Sequence, residues 1–381
     1  MTGQPTTFRI VTSAADIPAE AWNACAGDDN PFTLHAFIGA LEESGSAVAA
    51  AGWQAAHAVL EDADGGILGI APAYAKSHSQ GEYVFDHGWA DAFERAGGRY
   101  YPKYQMAVPF TPATGPRLLL KDVNHAPALI AGIEQFCERQ QISSAHATFI
   151  APEQVPLFAA AGWLIRHTEQ FHWHNAGYGS FEDFLGSLAS RKRKTIRRER
   201  REAAEAGLRI VALSGADISE AHWDAFWAFY QDTGSRKWGR PYLTRAFFSL
   251  IGARMAERVL LVLAMDGDTP VAGALNFIGG DCLYGRYWGA VRDLPFLHFE
   301  LCYYRAIDHA IAHGLARVEA GAQGPHKLAR GYVPVVTTSA HYIRHPGLRR
   351  AIEDYLARER PAIAADIGAM EAFTPYRRGS S

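Results

Sequence analysis

The stretch LYGRYWGAVRDLPFLHFELCYYRAIDHAIAHGLARVEAGAQGPHKLARGY, residues 283–332, decides the fold. It opens with the alternation of a strand, Leu283, Gly285 and Tyr287 against Tyr284, Arg286 and Trp288. After a short loop holding Pro295, Phe299, Cys302/Tyr303, Ala306/Ile307 and Ala310/Ile311 recur at helical spacing and give one apolar stripe. Gly314, free to adopt positive φ, stops that helix. A second strand, 317–320, runs into the glycine-punctuated loop 321–327. Strand, helix and strand in so few residues predict a βαβ unit with parallel strands and a ligand crevice beyond their carboxyl ends. The polar clusters 288–300 and 319–330 are both expected at that end.

Working outward, the same order of elements recurs once. A hairpin at 259–265 and 270–278, turned at Asp266-Gly267-Asp268, precedes the stretch above. In the first half a hairpin at 53–60 and 67–74, turned at Asp64-Gly65-Gly66, precedes a strand at 104–108. Next come a proline-rich break at 109–116, a helix at 126–140 and a buried strand at 145–150. There is no residue-level repeat, so the expectation is two copies of one mixed α/β domain, 1–176 and 177–381. A chain of 381 residues with 48% hydrophobic content suits two soluble domains.

The formal charge of −3 excludes a global field that would demand a polyanionic or membrane partner. Cys25, Cys137, Cys282 and Cys302 are widely spaced inside apolar patterns, with no CxxC pair, which points away from a zinc knuckle or disulfide framework. Cys302 is expected in the core. His172 and His174 share a strand face as metal ligands could, but no third ligand is in sequence reach, and no metal is expected. The N-terminus lacks a basic segment before an apolar one, and apolar runs are too short to span a bilayer. A cytoplasmic protein without a transmembrane segment is the expectation, its ends, 1–7 and 374–381, loose.

One composition stands apart. A helix starting at 181–188, with Phe181, Phe184/Leu185 and Leu188 on one side, is expected to continue through 191–201 to Gly207. Arg191, Lys192, Arg193, Lys194, Arg197, Arg198, Arg200 and Arg201 crowd its middle, with Glu199 as the one acidic residue among them. Such a run is either a solvated face paired to Glu199, Glu202 and Glu205 or a surface that needs a counter-anion. Self-repulsion favours the second, a phosphate-bearing partner.

The order of these pieces, with AHATFIAPE (145–153), AAGW (160–163) and RKTIRRERREAAEAGLRIVAL (193–213), resembles the Fem-type peptidoglycan aminoacyltransferases, tandem acyltransferase domains of the GNAT fold. KSHSQGEYVFDHGWADAFERAGGRYYPK (76–103), AVPFTPATGPRLL (107–119), LYGRYWGAVRDLPFLHFELCYY (283–304) and EAGAQGPHKLARGYVPV (319–335) are similar to the FemAB-like peptidoglycan biosynthesis/recognition group, predicted N-acyltransferases. The resemblance implies two tandem GNAT-like domains and transfer of an acyl or aminoacyl group onto an amine. In the Fem enzymes the donor is an aminoacyl-tRNA and the acceptor a peptidoglycan precursor. Arg191–Arg201 would then meet a phosphate backbone. Acyl-CoA users of this fold carry a Q/R-x-x-G-x-G/A loop, and neither GAVRDLPFLH (289–298) nor PFTPATGPRL (109–118) has the paired glycines. Coenzyme A is therefore the second donor, aminoacyl-tRNA the first, and no permanently bound cofactor is expected.

Aminolysis of an ester needs proton removal from the amine, oxyanion stabilisation and protonation of the leaving oxygen. Glu300, Glu319, His326 and Asp86 are the groups expected to supply the base. Substrate contacts are expected from His78, Glu82 and Lys103 in the first domain. In the second they are expected from Tyr284, Arg286, Trp288, His298, Gln323, Lys327 and Arg330, the last two spaced to grip a phosphate. The alternatives are ordinary ones: a carboxylate suiting a helix dipole for Glu300, salt-bridged loops for the two clusters, and core packing for the aromatics. The function expected is direct N-acyl or aminoacyl transfer. Acyl-CoA-dependent acylation of a small amine, or a non-catalytic binding protein for a cell-wall precursor or RNA, stand as alternatives.

Overall fold

The structure, a computed structural model, describes residues 5–238, 241–321 and 324–377. It is mixed α/β, as expected, and divides into two compact units: 1–168 with 336–365, and 169–335 with 366–381. The linear division at 176/177 is thus crossed twice. Strand Val333–Ile343, from late in the chain, pairs antiparallel with Ser144–Ala147 of the first unit. Residues 172–174 of the strand Leu164–His174, from the first half, pair antiparallel with Arg317–Glu319 of the second. Each parallel pair leaves one strand edge open, and an antiparallel partner from the other half of the sequence covers it.

In the first unit Lys103–Met106 and Ser144–Ala147 are parallel neighbours, with helix Ala126–Arg139 as their crossover. Ala73–Lys76 and Trp53–Ala55 extend the sheet antiparallel beyond Lys103–Met106. The apolar face of the helix, Leu129, Ile130, Ile133 and Cys137, packs on Tyr104, Met106, Ala145 and Ala147. Ile343, Leu348, Ile352 and Leu356 close a second cluster with Trp89, Tyr100 and Leu164. The expected hairpin forms between His57–Glu61 and Ile67–Ala71 in a smaller sheet of its own.

In the second unit the strands run Arg209–Leu213, Val259–Asp266, Thr269–Ile278, Cys282–Ala290, Arg317–Glu319, then 169–174. All neighbours are antiparallel except Cys282–Ala290 with Arg317–Glu319, the βαβ pair. The helix between them is not uniform. Leu297–Phe299 is α, Glu300–Tyr304 is a π turn, and Arg305–Ala312 is α again. The extra residue of a π turn rotates the helix before it relative to the helix after it. Leu297, Leu301, Tyr304 and Ile307 therefore reach the core, while Cys302 stands half-buried at its margin.

The long basic helix expected from 181 breaks in two, Phe181–Ser187 and Ser190–Glu205. Leu188 is extended (φ −85°, ψ 155°) and bridges to Tyr376; Ala189 N–H donates to Pro375 O and Arg377 N–H to Ser187 O. The segment 375–377, expected loose, is thus held by backbone pairing, and the basic run acquires its own helix start. No helix among the described residues is long and apolar enough to cross a membrane.

Candidate functional site

The two parallel pairs end differently. In the first unit the proline-rich loop after Met106 folds back over the strand ends, and residues 107–113 are buried. Arg117 fixes it, donating to Thr148 O (2.6 Å), Ala113 O (2.7 Å) and Pro116 O (3.0 Å). Gln154 Oε1 accepts from the backbone N–H of Arg117 and Leu118, and Gly115 bridges to Ile150 in parallel register. The loop is thus packed against the strand ends of this unit.

In the second unit the space stays open. Register pairs Cys282 with Arg317, Leu283 with Val318 and Tyr284 with Glu319, and there the pairing stops. Cys282–Ala290 continues, bonded to Thr269–Ile278 alone, so the parallel strands part. At the parting Asn276 faces Gly285 and Leu275 faces Tyr287, leaving Arg286 as the extra residue of a β-bulge. The bulge reverses the alternation, which turns Trp288 to the helix side of the sheet, against His298 (ring centroids 5.2 Å apart). A cavity of about 100 Å³ lies in this wedge, lined by Asn276, Arg286, Trp288, His298, Cys302 and Tyr303 among others. Tyr303 Oη is 2.8 Å from His326 Nε2, and the His326 ring lies 5.8 Å from Phe299. Burial raises the Tyr303 phenol well above its ordinary range, so it holds its proton and serves as a donor.

Of the expected residues, Arg286, Trp288 and His298 line this cavity and His326 reaches it through Tyr303. Tyr284 does not: it lies before the bulge on the opposite face, buried with Cys282 and Glu319. Glu319 points to the same face, 3.3 Å from Arg317 and 3.9 Å from His172, and burial pushes the His172 imidazole down to about 3. Glu300, expected to supply the base, stands among ion-pair partners. Arg200 (3.0 and 3.1 Å) and Arg305 (2.8 Å) hold both its oxygens. Arg330, expected to help grip a phosphate, is tied to Glu199 (2.8 and 3.2 Å) and lies 3.4 Å above the Phe299 ring. Lys327 is 1% exposed and donates to Gly321 O (2.8 Å). Burial, with Arg286 nearby, lowers its ammonium to about 7. Gln323 lies outside the described residues.

Of the first-unit candidates, Glu82, Asp86 and Lys103 meet in a buried ion network. Lys103 Nζ donates to Glu82 (2.7 Å), Asp86 (2.5 Å) and Ser79 (2.7 Å). Despite burial, Lys103 and His146 hold the Asp86 carboxyl far below its usual range, so it is a fixed anion. His78 rests against Gly52, where a Cβ would strike its ring.

The basic helix sorts into two groups. Arg200, expected among the phosphate-binding cations, turns inward to Glu300 and Asp308 (2.7 Å) and over the Phe181 ring. Arg197 pairs with Glu182, Arg198 with Glu202 (3.5 Å) and Arg201 with Glu205 (3.8 Å), all on the surface. Arg191, Lys192, Arg193 and Lys194 have no ion pair among the described residues. They occupy the first turns of Ser190–Glu205, where the macrodipole already disfavours cations. Arg191, Lys194, Thr195 and Arg198 line one shallow surface depression.

Asn276, Cys302 and Tyr303 line the cavity although none was expected there; helical spacing placed Cys302 and Tyr303 on the apolar stripe. Asn276 had a signal: it is the lone amide in an otherwise apolar strand, PVAGALNFI. Cys302 and Tyr303 carried only a core signal, because the π turn that brings them to the cavity does not show in the spacing of apolar residues.

The model of the FemAB-like family, described as peptidoglycan biosynthesis/recognition, matches residues 13–378. The chain belongs to that family. Its fold is similar to that of FemX (TM-score 0.53, 12% identity, 92% of this chain and 100% of that one). It is also similar to the C-terminal domain of a putative lysylphosphatidylglycerol synthetase from Agrobacterium fabrum (TM-score 0.56, 11% identity, 91% and 96%). A third likeness is to L-PGS from Bacillus licheniformis (TM-score 0.51, 10% identity, 84% and 93%). No curated protein sequence matches the chain.

Proposed function

We propose that this chain transfers an aminoacyl group, carried by aminoacyl-tRNA in the cytoplasm, onto an amine of a peptide or cell-wall-precursor-like acceptor in the wedge of the second unit. The observation that carries this is the parting of the parallel strands at Tyr284 and Glu319 over a cavity lined by Arg286, His298 and Tyr303. Arg286 supplies positive charge for the oxyanion of a tetrahedral intermediate, and Tyr303, hydrogen-bonded to His326, supplies a proton for the leaving oxygen. The four cations at the start of the basic helix favour a donor with a phosphate backbone over a neutral ester. The donor is a substrate, and the chemistry asks for no resident cofactor.

The test measures transfer from charged tRNA to excess hydroxylamine, together with tRNA binding across a salt series. Tyr303→Phe is expected to slow transfer about a hundredfold or more while leaving tRNA affinity unchanged. Flat salt dependence with retention on immobilised coenzyme A would move the donor to acyl-CoA. Binding without any transfer would make the chain a recognition protein.

A further inference from the structure

Asn276 is 1% exposed and lines the wedge cavity. Its Nδ2 donates to the carbonyls of Leu260 (3.3 Å) and Ala274 (3.4 Å). That fixes the amide's orientation, since the reverse would aim Oδ1 at two carbonyl oxygens. No donor among the described residues reaches Oδ1. It lies 3.4 Å from where a Cβ on Gly285 would stand, so the absent side chain leaves its approach open. A buried acceptor without a donor forfeits its hydrogen bond to water, and such a group calls for an explanation.

We propose that this cavity receives the attacking amine of the acceptor in its neutral form, one N–H donated to Asn276 Oδ1 and the lone pair directed at the acyl carbon. This rests on the acyl-transfer reading and adds the acceptor's chemistry: a primary amine on an unbranched carbon. A carboxylate in place of the amide would stabilise an ammonium, which has no lone pair to attack with. A neutral acceptor beside Arg286 does the opposite, disfavouring a second positive charge. The cavity, about 100 Å³, has room for an amine head while the rest of the acceptor extends outside. In the step itself the C–N bond forms as the carbonyl opens to an oxyanion. The ester C–O bond breaks as that intermediate collapses, with Tyr303 giving a proton to the leaving oxygen and regaining one from nitrogen. The net proton movement is from nitrogen to the released hydroxyl.

The test needs no donor, so its failure is separable from failure of the transferase reading, which the tRNA assay reports. Ethylamine binding to the full chain is followed by ligand-observed NMR at about pH 7 and about pH 9, with trimethylamine as the amine that has no N–H when neutral. Wild type is expected to bind ethylamine more tightly at the higher pH and to discriminate against trimethylamine. Asn276→Leu is expected to weaken ethylamine about tenfold. Asn276→Asp, which keeps the shape and covers the case in which the leucine variant does not fold, is expected to reverse the pH trend by holding the ammonium. Ethylamine binding that is absent, equal at both pH values, or unchanged in Asn276→Leu overturns the proposal, as does an Asn276→Asp variant that keeps the wild-type trend.

Discussion

Lys327 shows how far burial can move a residue from its role in the sequence. Three residues before Arg330 it reads as half of a phosphate grip, yet it is enclosed, with Gly321 O as the acceptor of its ammonium. Its folded pKa of about 7 lies below the ordinary lysine value of 10.5. Between those values the unfolded chain binds the proton and the folded chain does not, so this group makes stability rise with pH across that window and lowers it as pH falls toward about 7. Lys327→Met is expected to flatten that rise: the difference in urea midpoint between variant and wild type should favour the variant near pH 7 and shrink toward pH 10. Glu300 gives the complementary lesson. Its place at a helix start was legible, but the two arginines that neutralise it come from Arg200, far away in sequence, and Arg305, one turn on.

The wedge depends on elements rather than single groups. The strand alternation of 283–288 was legible, and the β-bulge that reverses it at Arg286 was not, because a bulge is fixed by the partner strand's register. The same holds for the basic helix, whose composition was plain and whose start was not. Breaking at Leu188 places Arg191, Lys192, Arg193 and Lys194 in the first turns, where charge and dipole add. Replacing all four by Gln is expected to leave the melting temperature unchanged or raise it slightly. It should also lower the slope of log affinity for tRNA against log salt by about three units, as fits four lost phosphate contacts at roughly 0.7–0.9 each. Fluorescence anisotropy with labelled tRNA measures the slope, and an unchanged slope would place the nucleic acid elsewhere.

At the scale of the molecule, the units do not follow the order of the chain. The first unit's sheet takes residues 340–343 as partner to Ser144–Ala147, and its second core cluster draws Ile343, Leu348, Ile352 and Leu356 from the far end. A fragment ending at 176 therefore exposes Trp89, Tyr100 and Leu164 and leaves a strand edge unpaired. It is expected to aggregate or to lack a cooperative urea transition, whereas the full chain shows one; circular dichroism and light scattering distinguish the two. A folded, monomeric 1–176 fragment would contradict the division.

The sequence by itself determined the mixed α/β class, the two βαβ arrangements and the end of the second at which polar groups gather. Those come from apolar period and turn chemistry, which are local. How the first unit's strand ends are covered, which carboxylates are neutralised and which amide faces the cavity were decided by tertiary structure. Each depends on a partner distant in sequence: the loop fixed by Arg117, the arginine that meets Glu300, the register that sets Asn276 opposite Gly285. Local spacing carries no information about such partners, because pairing across the fold is settled by burial and hydrogen bonding after the chain has closed on itself.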